Sequence, residues 1–291
     1  MNQNIISIIN KKGGVGKTST IGSIASICAH YGLKILVVDL DPQCNTTQLF
    51  FNENEEKSYF TISDLILNQN ADYTFVNRTI KRSSYENIDI IPGDEELDEI
   101  GDKILLENAH INENGKIELT SEAQLLLTRT FKLIEKDYNL ILIDNTPYFN
   151  LISKNALSAS NGVLIPVEND GYSYYGLTKL LSKIYEIKGE LNNSLDLLGV
   201  FFTKVNNRTT LFKQLSELFK TELGDKLLNS YIRQDNQVKE SNTALVPLFE
   251  FARKSNATLD YMQLVSELKI LDEKNQKKLD KDIKLNKKRK K

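Results

Sequence analysis

The stretch NIISIINKKGGVGKTST, residues 4–20, constrains the fold more than any other part of the chain. Its opening run IISII is short, continuous and apolar, the signature of a strand buried on both faces of a parallel sheet. Gly13, Gly14 and Gly16 follow, and a helical pattern runs from about Thr18 to His30. Glycines let successive backbone N–H groups close on an anion, and a helix N-terminus adds partial positive charge. Strand, glycine loop and helix in that order predict a phosphate site. Lys17 would reach the β- and γ-phosphates of a nucleotide, and Thr18 would offer its hydroxyl to a magnesium ion. The loop departs from G-x-x-x-x-G-K-[ST] at one place, because Lys11 stands where the first glycine belongs and Lys12 follows it.

Further apolar runs recur at helix-length intervals: LKILVVDLD (33–41), NIDIIPG (87–93), YNLILID (138–144), GVLIPV (162–167) and LLGVFFTKV (197–205). Helical patterns fall between or after them at roughly 61–70, 120–137, 153–159, 173–190, 208–224 and 255–271. The expectation is an α/β fold, a mostly parallel twisted sheet with helices on both faces. One domain is expected over residues 1–272, with 101–119 as an inserted loop or hairpin. Two strands end in acid, Asp39 and Asp41 on one and Asp144 on the other. A phosphate loop needs a carboxylate near its metal, commonly at the end of another strand.

The formal charge of −2 conceals an asymmetry: residues 274–291 hold ten Lys or Arg against Asp280 and Asp282, a net of +8, which leaves about −10 on the rest. An acidic body with a basic tail suits a protein that meets a polyanion. The tail is too polar to bury and is expected as a frayed helix or flexible segment over 273–291. Cys28 and Cys44 make no metal spacing and read as small buried hydrophobes of a reducing compartment. Membrane-spanning runs and a secretion signal are not evident, so a cytoplasmic location is expected.

KKGGVGKTST, VVDLDPQCNTT and LILIDNTP together resemble the deviant Walker ATPases of the ParA/MinD group. VLIPVENDGYSYYGLTKL, FTKVNNRTTL and VPLFEFARKSNATLDYMQLVSEL also fit, so the likeness spans about residues 4–268. The resemblance implies ATP and Mg2+ as ligands. It places the nucleotide on Gly13, Gly14, Val15, Gly16, Lys17, Thr18 and Ser19, and the metal near Thr18, Asp39 and Asp144. Lys12 matches the signature lysine that reaches the phosphates held by a second subunit, and Asp41 the residue that positions attacking water. Catalysis is thus expected from Lys12, Lys17 and Asp41, with Lys11 a surface residue. Asn206, in TKVN, stands where GTPases carry an Asp that reads guanine. Asn offers an acceptor and a donor pair, which suits adenine, and the resemblance also puts it beside that base.

By the same resemblance the protein would partition plasmid or chromosomal DNA. An ATP-bound homodimer would bind DNA without sequence preference and release it when a ParB-type centromere-binding partner stimulates hydrolysis. That would make it nucleoid-associated. The basic tail, Lys213, Lys220, Arg233 and Lys239 are candidate phosphate contacts. The chain starts with its first strand, so a preceding helix-turn-helix domain and operator-specific binding are not expected. The alternative is a MinD-like ATPase of the membrane surface. It would need an amphipathic terminal helix, but Leu279, Ile283 and Leu285 are the tail's only large apolar residues, and stable anchoring is not expected. A metabolic enzyme or iron–sulfur carrier on the same scaffold would not need Lys12, or would need bridging cysteines that this chain does not place.

Overall fold

The computed structural model describes residues 4–51, 59–68, 70–111, 117–120 and 122–289. Seven strands form the main sheet: β1 (Ile5–Ile8), β2 (Ile35–Leu40), β3 (Lys81–Arg82), β4 (Ile88–Ile91), β7 (Leu140–Asn145), β8 (Gly162–Glu168) and β9 (Asp196–Thr203). Their order is β3-β4-β2-β7-β1-β8-β9. Every neighbouring pair is parallel except β3 with β4, which makes an antiparallel edge. The remaining strands, β5 (Ala109–Ile111) and β6 (Ile117–Leu119), pair only with each other.

The helices are α1 (Lys17–His30), α2 (Asn45–Phe50), α3 (Ile62–Leu67), α4 (Tyr73–Thr79), α5 (Leu97–Asn108), α6 (Leu126–Ile134), α7 (Leu151–Ala159), α8 (Gly171–Glu190), α9 (Thr210–Leu223), α10 (Asn236–Thr243), α11 (Leu248–Phe251), α12 (Asn256–Leu268) and α13 (Glu273–Arg289). Strand side chains alternate between faces, so one strand feeds two cores. Leu140 and Leu142 of β7 join α1, α11, α12 and α13 on one side, while Ile141 and Ile143 join α3 to α7 on the other. A third cluster packs α8 and α9 on β8 and β9. This double coverage explains why the strands read as unbroken apolar runs.

Each anticipated strand is present. The segment 101–119 divides differently from the sequence reading: its first part continues α5, whose Ile100 and Ile104 are buried, and only its end is a hairpin. The expected helix over 120–137 shortens to α6 behind a single 3-10 turn at Glu122–Gln124.

The larger correction concerns the C-terminus. Residues 273–289 form a helix docked on the body rather than a frayed or free tail. Leu279 and Ile283 stand four residues apart, share a face and are buried against α1 and α12. Two acids seal the seam. Asp280 accepts from Ser266 Oγ at 2.6 Å, and Asp282 accepts from Tyr31 Oη at 2.8 Å. Overall polarity hid the helix because two well-spaced apolar side chains are enough when the facing polar groups are also satisfied.

Candidate nucleotide site

The loop Ile9–Gly16 leaves β1 near the centre of the sheet and enters α1. Gly14 (φ 74°) and Gly16 (φ 93°) adopt left-handed backbone that a side chain would strain. Neighbouring strand ends fix the loop. Thr203, at the end of β9, donates its hydroxyl to the Val15 carbonyl at 2.8 Å, and Asn10 Nδ2 donates to Pro166 O at 2.7 Å. Val15 is fully buried, which anchors the loop from below, while Lys17 is 7% exposed at the start of α1. The Lys12 backbone N–H donates to Asn10 Oδ1, and Ser19 pairs with Asn242 of α10 at 3.3 Å.

Register brings the acids together. Ile8, the last residue of β1, lies opposite Asp144, and Asp39 of β2 also lies opposite Asp144. The site therefore sits at the C-terminal ends of the strands, where open parallel sheets place ligands. Asp144 Oδ2 accepts from Thr18 Oγ1 at 2.8 Å and Thr46 Oγ1 at 2.6 Å. Its other oxygen, Oδ1, is buried with no hydrogen-bond partner. Burial pushes the Asp144 carboxyl upward against the favourable Thr46, Lys17 and Thr18. Burial, then the facing Asp144 charge, does the same to Asp39. An unpartnered buried carboxylate oxygen beside a threonine hydroxyl and a lysine-bearing loop suits a divalent cation. Among the described residues no three His, Cys, Asp or Glu side chains gather at one point. A cation here would thus depend on phosphate oxygens for much of its coordination.

Asp39 is differently placed from Asp144. Its Oδ2 accepts from both the backbone and the hydroxyl of Thr47 (2.7 and 2.8 Å), and its Oδ1 accepts from Asp41 N. Gly93 N donates in turn to Thr47 Oγ1 at 2.8 Å. Asp39 is spent on shaping the turn that carries Asp41, and Asp41 faces the cavity. That cavity, about 410 Å³, is lined among others by Gly13, Lys17, Thr18, Asp41, Asn242 and Leu245. Leu245 (φ 53°) in its lining and Cys44 (φ 52°) between two lining residues hold left-handed backbone, as does Lys204 (φ 53°) beside the phosphate loop, the kind of strain that gathers at functional sites.

Lys12 does not line that cavity. Its ammonium is ion-paired with Glu168 and Asp170 at the end of β8, and Lys204 Nζ holds the other Glu168 oxygen at 2.6 Å. Partial burial opposes the Lys12 charge, but hydrogen bonds and charge from Asp170 and Glu168 outweigh it and raise the pKa. Burial likewise opposes the two carboxylates, but Lys12 with Lys204 at Glu168, and Lys12 with Ser173 at Asp170, together outweigh it and lower both. Neither acid was marked by the sequence; VENDG reads as a loop, and only the β8 register aims its acids at residue 12. Lys11 is exposed, with its ammonium 5.7 Å from the centre of the Phe149 ring.

A second cavity of about 340 Å³ opens beside the loop, lined by Gly14, Thr203, Lys204, Arg233, Val238 and Tyr261 among others. Asn206 is not part of it. It stands exposed in the turn after β9, with Oδ1 accepting from Arg208 N at 3.3 Å. Lys204 holds left-handed backbone, Val205 still bridges to Arg233, and Asn206 follows in the turn. Of the candidate phosphate contacts, Arg233 is committed to Asp260, with Nε–Oδ2 at 2.8 Å and NH2–Oδ1 at 2.6 Å, and Lys220 lies 4.0 Å from Asp225.

A central strand feeding a glycine loop, with a carboxylate paired to the loop threonine from the next strand, defines a P-loop nucleotide-binding fold. Comparison with known proteins narrows it. The AAA domain family matches residues 3–197. The sporulation initiation inhibitor protein Soj of Bacillus subtilis (strain 168) is 31% identical over 266 residues, 91% of this chain and 97% of Soj. The chromosome partitioning protein ParA of Caulobacter vibrioides (strain NA1000 / CB15N) is 27% identical over 269 residues, 91% of this chain and 93% of ParA. Among solved structures, an McdA variant from Cyanothece in complex with ATP superposes with a TM-score of 0.76, covering 93% of this chain and 98% of that one at 19% identity. The chain belongs to the AAA domain family and, within it, to the ParA/MinD-type partition ATPases.

Proposed function

We propose that this protein is an ATP-driven DNA-partition ATPase, working on a plasmid or chromosome as a nucleotide-dependent homodimer. The observation that carries the reading is the position of Lys12. It belongs to the phosphate loop yet stays out of the cavity that loop forms, resting on Glu168 and Asp170 at the rim. A loop lysine that does not serve its own phosphates would be available to those of a second subunit.

ATP would lie along Gly13–Ser19 with its base toward the cavity beside Thr203 and Lys204. Lys17 would hold the β- and γ-phosphates. Magnesium would be held by Thr18 and Asp144 and would offset phosphate charge; Asp39 would act by fixing the turn beneath Asp41. Asp41 would orient water for in-line attack, and Lys12 from the partner would stabilise charge on the transferring group. Such a site is fully assembled only in the dimer, so the isolated protein should turn over slowly. The dimer would bind DNA without reading sequence, and a ParB-type adaptor would trigger hydrolysis and release. The protein would then reside in the cytoplasm on the nucleoid. No described helix is long and apolar enough to cross a membrane.

Sedimentation with ATP, ADP or no nucleotide, with and without random-sequence duplex DNA, tests this. Lys12→Ala should bind nucleotide but neither dimerise nor hydrolyse it; normal dimerisation would refute the trans role. Asp41→Ala should hold ATP and remain dimeric on DNA, whereas normal turnover would remove Asp41 from the mechanism.

A further inference from the structure

Beyond its exposed first residue, Glu273, the outer face of α13 is lined by lysines, and this follows from how the helix is docked. With 3.6 residues per turn, Lys274, Lys277, Lys278, Lys281, Lys284 and Lys288 fall within about 120° of arc, opposite Leu279 and Ile283. All six are exposed, and among the described residues none has a carboxylate within ion-pair distance. Two acids that could neutralise the stripe are turned inward, and the exposed Asp272 and Glu273 stand at its N-terminal end. Asp280 is held by Ser266 and Gln276 Nε2, and Asp282 by Tyr31. Asp272 caps the helix start, accepting from Lys274 N and Asn275 N. Docking thus sorts a mixed sequence into a cationic ridge about 21 Å long at 1.5 Å per residue.

We infer that this ridge is a binding surface for the phosphate backbone of duplex DNA and that a single protomer presents it whatever the nucleotide state. Its docking contacts are with the C-terminal end of α1 and with α12, so the ridge needs neither ATP nor a second subunit to form. Several lysines in line match repeated phosphates and carry no means of reading bases, which makes the contact sequence-independent. A lipid surface fits less well. The apolar residues that would enter a bilayer are buried against the body, and Leu285 is the single large apolar side chain left exposed on the helix. The choice of DNA rests on the partition reading above; the nucleotide-independent ridge does not. In that scheme the ridge holds the released protomer near DNA between cycles, and dimerisation doubles it.

The test is fluorescence anisotropy with a random-sequence duplex, at stepped salt, without nucleotide, with ADP and with ATP. The wild type is compared with a chain carrying Lys277→Gln, Lys278→Gln, Lys281→Gln, Lys284→Gln and Lys288→Gln. Glutamine keeps helix propensity, and circular dichroism verifies the fold. Wild type should bind without nucleotide and weaken about 100-fold between 50 and 200 mM salt, as expected for about four phosphate contacts. The variant should lose that binding and still hydrolyse ATP. Equal nucleotide-free binding by the two proteins, or none by wild type alongside ATP-dependent binding unaffected by the substitutions, would overturn the inference and leave the partition reading intact. Absence of DNA binding in every nucleotide state, with ATP hydrolysis preserved, would overturn both. A parallel arm uses phosphatidylglycerol vesicles; tighter binding to these than to duplex through the same lysines would assign the ridge to lipid and refute the choice of DNA.

Discussion

Releasing Lys12 from its own carboxylates should strengthen the ATP-bound dimer. The perturbation is Glu168→Gln together with Asp170→Asn, which removes two negative charges and little volume. Asparagine keeps the acceptor that caps α8, where Asp170 Oδ1 takes the Ser173 N–H at 2.9 Å. The Lys12 side chain is 42% exposed, with Glu168 at 19% and Asp170 at 33%, so solvent screens both pairs. Pairs of that kind contribute ~0.2–1 kcal/mol each, and ~0.5 for each gives ~1 kcal/mol per protomer. A dimer must undo this twice, so relief amounts to ~2 kcal/mol, or a roughly 30-fold lower Kd. The assay is sedimentation velocity with ATP and magnesium in an Asp41→Ala background, where nucleotide persists. The gain should shrink as salt rises, and adding Lys12→Ala should abolish the dimer whether or not the two acids are present. An unchanged or raised Kd, or an equal gain without Lys12, would refute the idea that these contacts compete with dimerisation.

The same pairing sets a pH window. Glu168 and Asp170 titrate below their ordinary values, so their contribution is present above the carboxylate range and lost as pH falls through it. Lys12 titrates above its ordinary value, so its contribution is lost only as pH rises past that point. The ratio of dimer constants between wild type and the carboxylate variant should be flat from about pH 6 to pH 9, and a slope there in sedimentation would assign the effect to other groups. Gly93→Ala would put a Cβ 3.1 Å from the Asp39 carbonyl and 3.3 Å from its Cγ. It should cost ~1–3 kcal/mol by overpacking and lower ATP turnover with it; a chain that melts and turns over like wild type would show that the Asp39 turn is not so tightly held. Leu279→Ala empties a fully buried site and should cost ~2–5 kcal/mol or undock and unwind α13, making the backbone at Lys277, Lys278 and Lys281 cleavable by trypsin; unchanged cleavage and unfolding would contradict the docked helix.

The sequence made the phosphate loop legible because its chemistry is local. Glycines at 14 and 16 are demanded by backbone conformation within the loop itself, and Lys17 and Thr18 follow from helix geometry one residue on. The strands were legible for a related reason: coverage on both faces removes polar alternation and leaves unbroken apolar runs. What stayed hidden depends on register between distant segments. Thr46, Thr47 and Gly93 converge on Asp39 and Asp144 only because β2 lies between β4 and β7, and nothing in the spacing of residues 46, 93 and 144 announces it. Asn206 is a different case: its motif was legible in the sequence, and it lies in the exposed turn after β9, outside the linings of both cavities.

The C-terminal helix shows how such a misreading arises physically. Mean polarity decides whether a segment can fold alone, but docking onto an existing core asks only for a matched stripe. Leu279 and Ile283 supply that stripe, and Ser266 and Tyr31 satisfy the acids beside it. The lysines that made the segment look like a solvated tail are therefore displayed on a rigid scaffold, fixed in spacing and direction. A flexible tail would contact a polyanion through a fluctuating set of charges and lose conformational entropy each time. A docked helix has already met that cost in folding, and so six of its lysines can act together.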